Sequence, residues 1–207
     1  MLIDVDSLEL EFFQVQIYFE GEEKENLFSQ KNNKTLGETL EDRRYKKFKD
    51  LCNEKYNDYM DVPLGKFLLM LKNKGNSYYK LFLNKYGDLS YSHFWIDDKK
   101  ILNKKGIYIY KLEKDIKYVG RCLDNFNKRI NFGYGTIHPK NCYLDGQATN
   151  CHMNSKITRN TYSVTLWICT LDNDMDIIDI ENKLIEKYNP TWNISGKNSK
   201  QLREGEN

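Results

Sequence analysis

Proline and long apolar runs are both scarce in this chain of 207 residues, which contains only three prolines. The longest uninterrupted apolar run, residues 67–71, is far shorter than the roughly 20 residues of a membrane-spanning helix. The N-terminus carries Asp4 and Asp6, whereas a secretory signal peptide begins with basic residues. These absences exclude a membrane protein and predict a cytoplasmic location.

Cysteine is also sparse, with five residues at positions 52, 122, 142, 151 and 169. This odd number lacks the dense spacing of a disulfide scaffold, so we expect free thiols in a reducing compartment. Hydrophobic residues make up 40% of the chain and aromatic residues 14%, which is more than a disordered segment contains. The length suits one domain with a core, or two small ones.

Charge is spread unevenly along the chain, although the total is only +2. The net charge is −6 over residues 1–33, +6 over 34–105, +5 over 106–159 and −3 over 160–207. A basic middle region is typical of surfaces that neutralise phosphates, and equally of lysine-rich helix faces that keep a protein in solution. Charge alone leaves both interpretations open.

The first hundred residues predict a mainly helical region after one strand within residues 8–19. Apolar residues spaced for a helix recur over 35–59, where Thr35 and Glu38 have the spacing of a capping box. Pro63 is suited to begin a second helix and Gly75 to end it, and a third, short helix is predicted over 78–86. We expect residues 1–100 to contact DNA or to form a dimer.

A change in composition near residue 100 predicts a second domain, residues 101–207. Two β-rich runs, 106–112 and 116–119, predict a hairpin whose loop is residues 113–115. The remaining pattern predicts an α+β fold. Its further elements are a helix over 126–130, an ordered loop over 133–154, a strand over 162–170 and a helix over 176–188.

The hairpin carries two short motifs, Gly106-Ile107-Tyr108 and Tyr118-Val119-Gly120. In this arrangement the second domain resembles the GIY-YIG endonuclease superfamily. The resemblance covers residues 106 to about 194, and the segment 133–157 is most similar to the type II restriction endonucleases of that superfamily. It implies a small α/β nuclease domain. Further matches follow in chain order: Arg129, Glu181, Pro190 and Asn193.

The resemblance implies a metal-dependent hydrolysis of phosphodiester bonds. Glu181 would bind one divalent cation, Mg²⁺ or Mn²⁺, because a carboxylate oxygen suits these hard ions. Tyr108 would accept a proton from the attacking water, and Tyr118 would orient the water or the phosphate. Arg129 offers a fork of donors that matches phosphate oxygens.

Three further residues complete the catalytic set. Asn193 would fix hydrogen bonds of the site, and His138 would lie near the scissile phosphate. Lys117, together with Arg129 and the metal, would lower the pKa of Tyr108, since a phenol with its ordinary pKa near 10 is protonated at neutral pH.

Double-stranded DNA is the expected partner, and cutting both strands of a symmetric site favours a homodimer. Amide, imidazole and basic side chains are suited to base edges and phosphates. The polar side chains between 141 and 154 are equally suited to bracing their own loop. The DNA-binding candidates are Arg121, Lys128, Lys140, Asn141, Gln147, Asn150, His152, Asn154 and Lys156.

Other functions remain compatible with the sequence. A nucleic-acid-binding module could keep this fold without hydrolysis, and a repair or homing enzyme could nick DNA with the same residues. A structural protein with a coincidental motif is a third possibility. Binding without cleavage in the presence of Mg²⁺ would distinguish a binding module from a nuclease.

Overall fold

A computed structural model describes residues 1–194 and shows a mixed α+β fold. The chain divides into two compact units, each built from separate segments. The first contains residues 1–20, 93–136 and the described residues from 159 onward, and the second contains 21–92 and 137–158. This division differs from the boundary near residue 100 that the composition predicts, because segments far apart in sequence share one core.

The described residues contain eight strands: β1 Leu2–Val5, β2 Leu8–Glu11, β3 Phe13–Val15, β4 Tyr18–Lys24, β5 Tyr91–Trp95, β6 Gly106–Leu112, β7 Asp115–Cys122 and β8 Val164–Thr170. The first unit is built on an antiparallel sheet of four of these strands in the order β3-β8-β6-β7. A separate hairpin, β1-β2, precedes this sheet, and β4 pairs with β5 in a third, two-stranded sheet.

The central hairpin β6-β7 forms where the sequence predicts it. Its loop is shorter than the predicted three residues, since Asp115 already pairs with Leu112. Glu113 takes a left-handed conformation with φ 52°, which a tight two-residue hairpin loop requires. A register shift leaves Lys117 without an opposite residue, between the pairs Tyr110–Tyr118 and Lys111–Ile116, as in a β-bulge.

The two faces of β6 pack against different helices. Alternation along the strand directs Ile107 and Ile109 to one face, where they share a buried cluster with Val119 and apolar residues of the last helix, Asp174–Tyr188. Tyr108 and Tyr110 lie on the other face, next to the π-helix Asn127–Tyr134. The last helix confirms the prediction over 176–188. It begins two residues earlier because Asn173 caps it through the backbone N–H groups of 175 and 176.

The second unit is mainly helical and has its own buried core of aromatic and leucine side chains. The predicted break within residues 35–59 is confirmed, as is the capping box of Thr35 and Glu38. Pro63 immediately precedes the next helix, as predicted. Its α-helices are α1 Leu36–Leu40, α2 Lys49–Tyr56, α3 Leu64–Asn73 and α4 Ala148–Thr158, and the last helix of the first unit is α5 Asp174–Tyr188.

Two sequence-based assignments of secondary structure were wrong. The first 24 residues form four short strands. The region 1–100 is therefore less helical than the spacing of apolar residues after residue 35 predicts. Residues 148–158 form helix α4 within what the Gly, Asn and His content indicated as a loop. The five cysteines are all buried and none forms a disulfide. Over residues 1–194, no helix is long and apolar enough to span a bilayer.

Candidate active site

Three tyrosine hydroxyls meet on one face of the hairpin β6-β7. The hydroxyl of Tyr134 lies 2.8 Å from that of Tyr108 and 3.2 Å from that of Tyr118. Tyr108 and Tyr134 are almost completely buried, and Tyr118 is partly exposed. The three hydroxyls therefore form a short hydrogen-bonded chain that runs from the interior towards the surface. The structure thus brings together the two predicted motif tyrosines.

Gly120, the last residue of the second motif, makes room for these rings. It lies opposite Tyr108 in the strand pairing. A Cβ atom at this position would be 2.5 Å from Cζ of Tyr108 and 2.6 Å from Cε1 of Tyr118. Only glycine therefore allows both rings to pack over this position of the sheet.

Tyr134 was missed by the sequence analysis. It lies five residues after Arg129 in a π-helix, in which the Gly135 N–H donates to the carbonyl of Ile130 at 2.6 Å. Bonding from i to i+5 widens the helical turn and brings residues five apart towards the same side. The sequence shows that Arg129 and Tyr134 are five residues apart. It does not show the wider π-helical turn that brings them towards the same side of the helix.

Arg129 is the cation that acts on the pKa of Tyr108. Burial raises the pKa of Tyr108, with further increases from Tyr118 and Tyr134, and the positive charge of Arg129 opposes them. The residue as a whole is exposed, although burial is the largest single influence on the pKa of its guanidinium. In the free protein the Tyr108 hydroxyl is neutral, because the effect of burial is the largest.

Lys117 lies at the bulge of β7 and has an acidic partner two residues away. Its ammonium pairs with the carboxylate of Asp115 at 3.0 Å. The bulge in β7 places it between Ile116 and Tyr118 without a residue opposite. Arg129, and not Lys117, is among the main influences on the pKa of Tyr108.

Glu181 lies on helix α5, where its carboxylate forms an ion pair with Arg121 of β7. Its side chain is only 12% exposed, compared with 40% for Arg121. Burial raises the pKa of Glu181, while Arg121 and, more weakly, Arg129 lower it. In this structure the partner of Arg121 is therefore the carboxylate of Glu181. The sequence-based prediction for Arg121 was a contact with DNA.

Glu181 offers one carboxylate to a cation, and in this structure that carboxylate is paired with Arg121. Residues 1–194 contain no group of three or more His, Cys, Asp and Glu side chains that could hold a metal. A cation at Glu181 would therefore take most of its ligands from water and from a phosphate, which is the usual coordination of Mg²⁺ at nucleotides. It would also compete with Arg121 for the carboxylate.

Asn193 holds the edge strand of the sheet. Its amide accepts from the Val119 N–H at 3.0 Å and donates to the Val119 carbonyl at 2.8 Å. The side chain is 7% exposed. Val119 lies between Tyr118 and Gly120, so Asn193 fixes the backbone of the second motif through two hydrogen bonds and acts as a positioning residue.

Tyr110 adds a fourth tyrosine to the same face. It is directly opposite Tyr118 and completely buried. Its hydroxyl has no hydrogen-bond partner among residues 1–194, and burial raises its pKa well above the ordinary value, with a smaller contribution from Tyr134. An unpaired buried hydroxyl destabilises a protein, so this side chain is unusual for a purely structural residue.

Several predicted DNA contacts instead brace the second unit. Asn154 is completely buried in α4, where its amide donates to the Ser92 carbonyl and accepts from the Ser92 N–H. Asn150 is buried and donates to Gln147 at 2.6 Å, and His152 is buried against the ring of Tyr86. For these buried side chains the bracing alternative is the one that the structure supports.

The other predicted residues of the second unit lie at its surface or partly so. His138 and Lys140 are exposed, and Asn141 accepts a hydrogen bond from the His138 N–H at 2.8 Å. Gln147 is exposed and Lys156 is half-buried. In the first unit, Lys128 pairs with Asp124 at 2.7 Å, both well exposed.

Chemically, the assembled groups can move a proton and bind an anion. The hydroxyl chain can relay a proton from its exposed end at Tyr118 through Tyr134 to Tyr108. Arg129 provides a positive charge, and Glu181 provides a carboxylate that interacts electrostatically with both Tyr118 and Arg129. No family model, curated protein or solved structure matches this chain.

Proposed function

We propose that this chain is a metal-dependent DNA endonuclease of the GIY-YIG type, and that it acts as a type II restriction endonuclease. The observation that supports the proposal is the convergence of the motif tyrosines on a third tyrosine, with Arg129 and Glu181 acting on the same group. These residue types supply the proton transfer and the charge stabilisation that phosphodiester hydrolysis needs.

Each residue has a defined task in this proposal. Tyr108 accepts a proton from the attacking water after its own proton has passed through Tyr134 and Tyr118 to the solvent, along the hydroxyl chain that these two residues hold in place. Arg129 binds the non-bridging oxygens of the phosphate. Mg²⁺ or Mn²⁺, held by Glu181, supplies Lewis-acid stabilisation of the phosphate charge. Arg121 leaves the Glu181 carboxylate when the cation binds.

The partner in this proposal is double-stranded DNA, cut by two copies of the chain. A symmetric site presents the same sequence on both strands, so a twofold dimer places one nuclease unit on each. Sedimentation of the protein bound to a DNA that it cleaves would measure how many copies of the chain bind each DNA molecule. A single copy per DNA molecule would contradict the dimer but not the hydrolysis.

Incubation of unmethylated phage and plasmid DNA with the protein and Mg²⁺ tests the proposed activity. We expect discrete fragments from the wild type and none from Glu181→Gln or Tyr108→Phe. Glu186→Gln and Tyr162→Phe are matched controls, because these two residues are exposed and outside the site. Intact DNA with the wild type, or equal loss in the controls, would contradict the proposal.

The pattern of products distinguishes a restriction enzyme from its closest alternatives. Fixed double-strand cuts support restriction, whereas nicks alone would indicate a repair or homing enzyme. Cleavage only at damaged or branched DNA would likewise favour repair.

A non-catalytic nucleic-acid-binding module is the second candidate function. The ion pair between Arg121 and Glu181 favours it, because this pair already occupies the carboxylate that a cation would need. Mn²⁺ binding, followed by electron paramagnetic resonance, separates the two functions. A nuclease binds Mn²⁺ through Glu181, more tightly in Arg121→Gln and much more weakly in Glu181→Gln. A binding module gives the same weak binding in all three proteins.

A further inference from the structure

The second unit carries a group of positively charged side chains that the candidate active site does not use. Six of the seven are exposed, and Lys31 is half-buried with its ammonium 4.4 Å from the ring centre of Tyr143. We call this group the basic surface. It consists of Lys31, Lys34, Arg43, Arg44, Lys46, Lys47 and Lys140.

Three separate chain segments contribute to the basic surface and are held together. Lys31 interacts electrostatically with Lys34 and with Lys140. The buried ring of Tyr45 ties residues 43–47 to the same region, because its hydroxyl donates to Asp145 at 2.5 Å. Asp145 itself interacts with Lys31. The surface is therefore a feature of the fold and not only of local sequence.

The acidic side chains of this region have hydrogen-bond or ion-pair partners of their own, and Asp42 and Asp145 also act electrostatically on Lys31. Glu38 completes the capping box of α1, and Glu41 pairs with Lys49 at 2.6 Å. Asp42 accepts the backbone N–H of Arg44 at 3.0 Å, and Asp145 accepts the Tyr45 hydroxyl. Over residues 1–194, none of the seven bases forms an ion pair within 4 Å.

Like charges held close together favour the binding of an anion. Burial lowers the pKa of Lys31, and the neighbouring Lys34 and Lys140 lower it further, against the effect of Asp145. Here an extended anion such as a phosphate backbone would relieve the repulsion between the bases and release counterions.

We propose that the basic surface binds the phosphate backbone of duplex DNA without reading its sequence. This inference rests on the proposed function and adds the second unit to it as the part that holds DNA. The adjacent Arg43 and Arg44 offer forked donors to phosphate oxygens, and the lysines offer point charges. Contacts of this kind position a duplex but carry no base information.

The test is a salt titration of binding to a fluorescein-labelled duplex of random sequence, in EDTA so that no cleavage occurs. The variant combines Arg43→Gln, Arg44→Gln and Lys47→Gln. Its control combines Lys99→Gln, Lys100→Gln and Lys104→Gln, three exposed lysines of the first unit with the same change in charge. Each phosphate contact contributes about 0.9 to the slope of log K against log salt concentration. We expect the slope to fall by about 2.7 in the variant and to stay unchanged in the control.

Several outcomes would overturn the inference. These are an unchanged slope in the variant, an equal fall in the control, or wild-type binding to anionic lipid vesicles but not to the duplex. Circular dichroism and thermal melting show whether the variant is folded. If it is not, single Arg43→Gln and Arg44→Gln proteins replace it, each with an expected fall of about 0.9.

Failure of this inference can be distinguished from failure of the proposed nuclease activity. A wild type that cuts DNA, with a slope that does not depend on the basic surface, overturns only the surface. A wild type that binds DNA through the surface but never cuts it overturns only the nuclease. Glu181→Gln should lose cleavage and keep the wild-type slope.

Discussion

The two faces of strand β6 are equally buried but chemically opposite. Ile107 and Ile109 present only hydrocarbon to helix α5, whereas Tyr108 and Tyr110 present hydroxyls on the side of the π-helix. An all-apolar face stabilises the fold by removing surface from water. A hydroxylated face gains less, because each buried hydroxyl loses its water and needs a new partner. The comparison indicates that one face maintains the sheet, whereas the other carries buried hydroxyls at a cost in stability.

The unequal satisfaction of the hydroxyls supports this division of roles. Tyr134 provides a partner for both Tyr108 and Tyr118. Tyr110 has none among the described residues. A face selected only for stability would carry phenylalanine at 110, and local departures of this kind are concentrated at functional sites.

The largest expected effect is on the apolar face. Ile109→Ala should lower the free energy of unfolding by about 2–5 kcal/mol, because it removes buried methyl groups and leaves a cavity. Urea denaturation measures this change. Ile194→Ala is the control, since Ile194 is exposed. A loss below about 1 kcal/mol at Ile109 would show that this face is not the main core.

A smaller effect on stability is expected at Gly120, which lies on β7 beneath the tyrosine rings. Gly120→Ala should destabilise by about 1–3 kcal/mol, because the added methyl group overlaps the rings of Tyr108 and Tyr118. It should also abolish DNA cleavage. In a Tyr118→Ala background the same change should be less destabilising. Equal effects in both backgrounds would place the strain elsewhere.

The next effect concerns the hydroxyl chain itself. Tyr108→Phe should destabilise by about 0.5–1.5 kcal/mol, the net value of one intramolecular hydrogen bond. A double-mutant cycle with Tyr134→Phe should show that the two losses are coupled. Tyr162→Phe, at an exposed position, should have no effect. Additive losses at 108 and 134 would contradict the hydrogen bond.

The smallest effect is expected at Tyr110. Tyr110→Phe should leave the stability unchanged or raise it by up to about 1 kcal/mol, because it removes a buried hydroxyl that has no partner in residues 1–194. The measurement is the same urea titration. A destabilisation as large as that of Tyr108→Phe would mean that the Tyr110 hydroxyl is bonded after all.

Local patterns in the sequence were sufficient to predict much of the fold. Runs of β-forming residues located the hairpin and strand β8, and Thr35 and Pro63 lie at helix starts as predicted. Helix α4 was missed because its buried residues, from Asn150 to Ser155, form a continuous run and not a stripe. The polar members of that run are stabilised by partners such as Ser92, which no local pattern reveals.

The candidate site was predictable only in part. The resemblance identified Tyr108 and Tyr118, which the structure brings together through Tyr134. The ion pair of Arg121 with Glu181 joins residues 60 positions apart, and it depends on how α5 packs on the hairpin. The wider turn that brings Arg129 and Tyr134 to one side is likewise a backbone feature without a sequence signature.

The interleaving of the two units determines how the protein can be dissected. The chain passes between units after residues 20, 92, 136 and 158. A fragment of residues 101–207 would lack strand β3 of the central sheet and would retain only the smaller segment of the second unit. Truncated chains divided near residue 100 would therefore lack parts of both cores at once. Separating DNA retention from cleavage requires point substitutions in the intact chain.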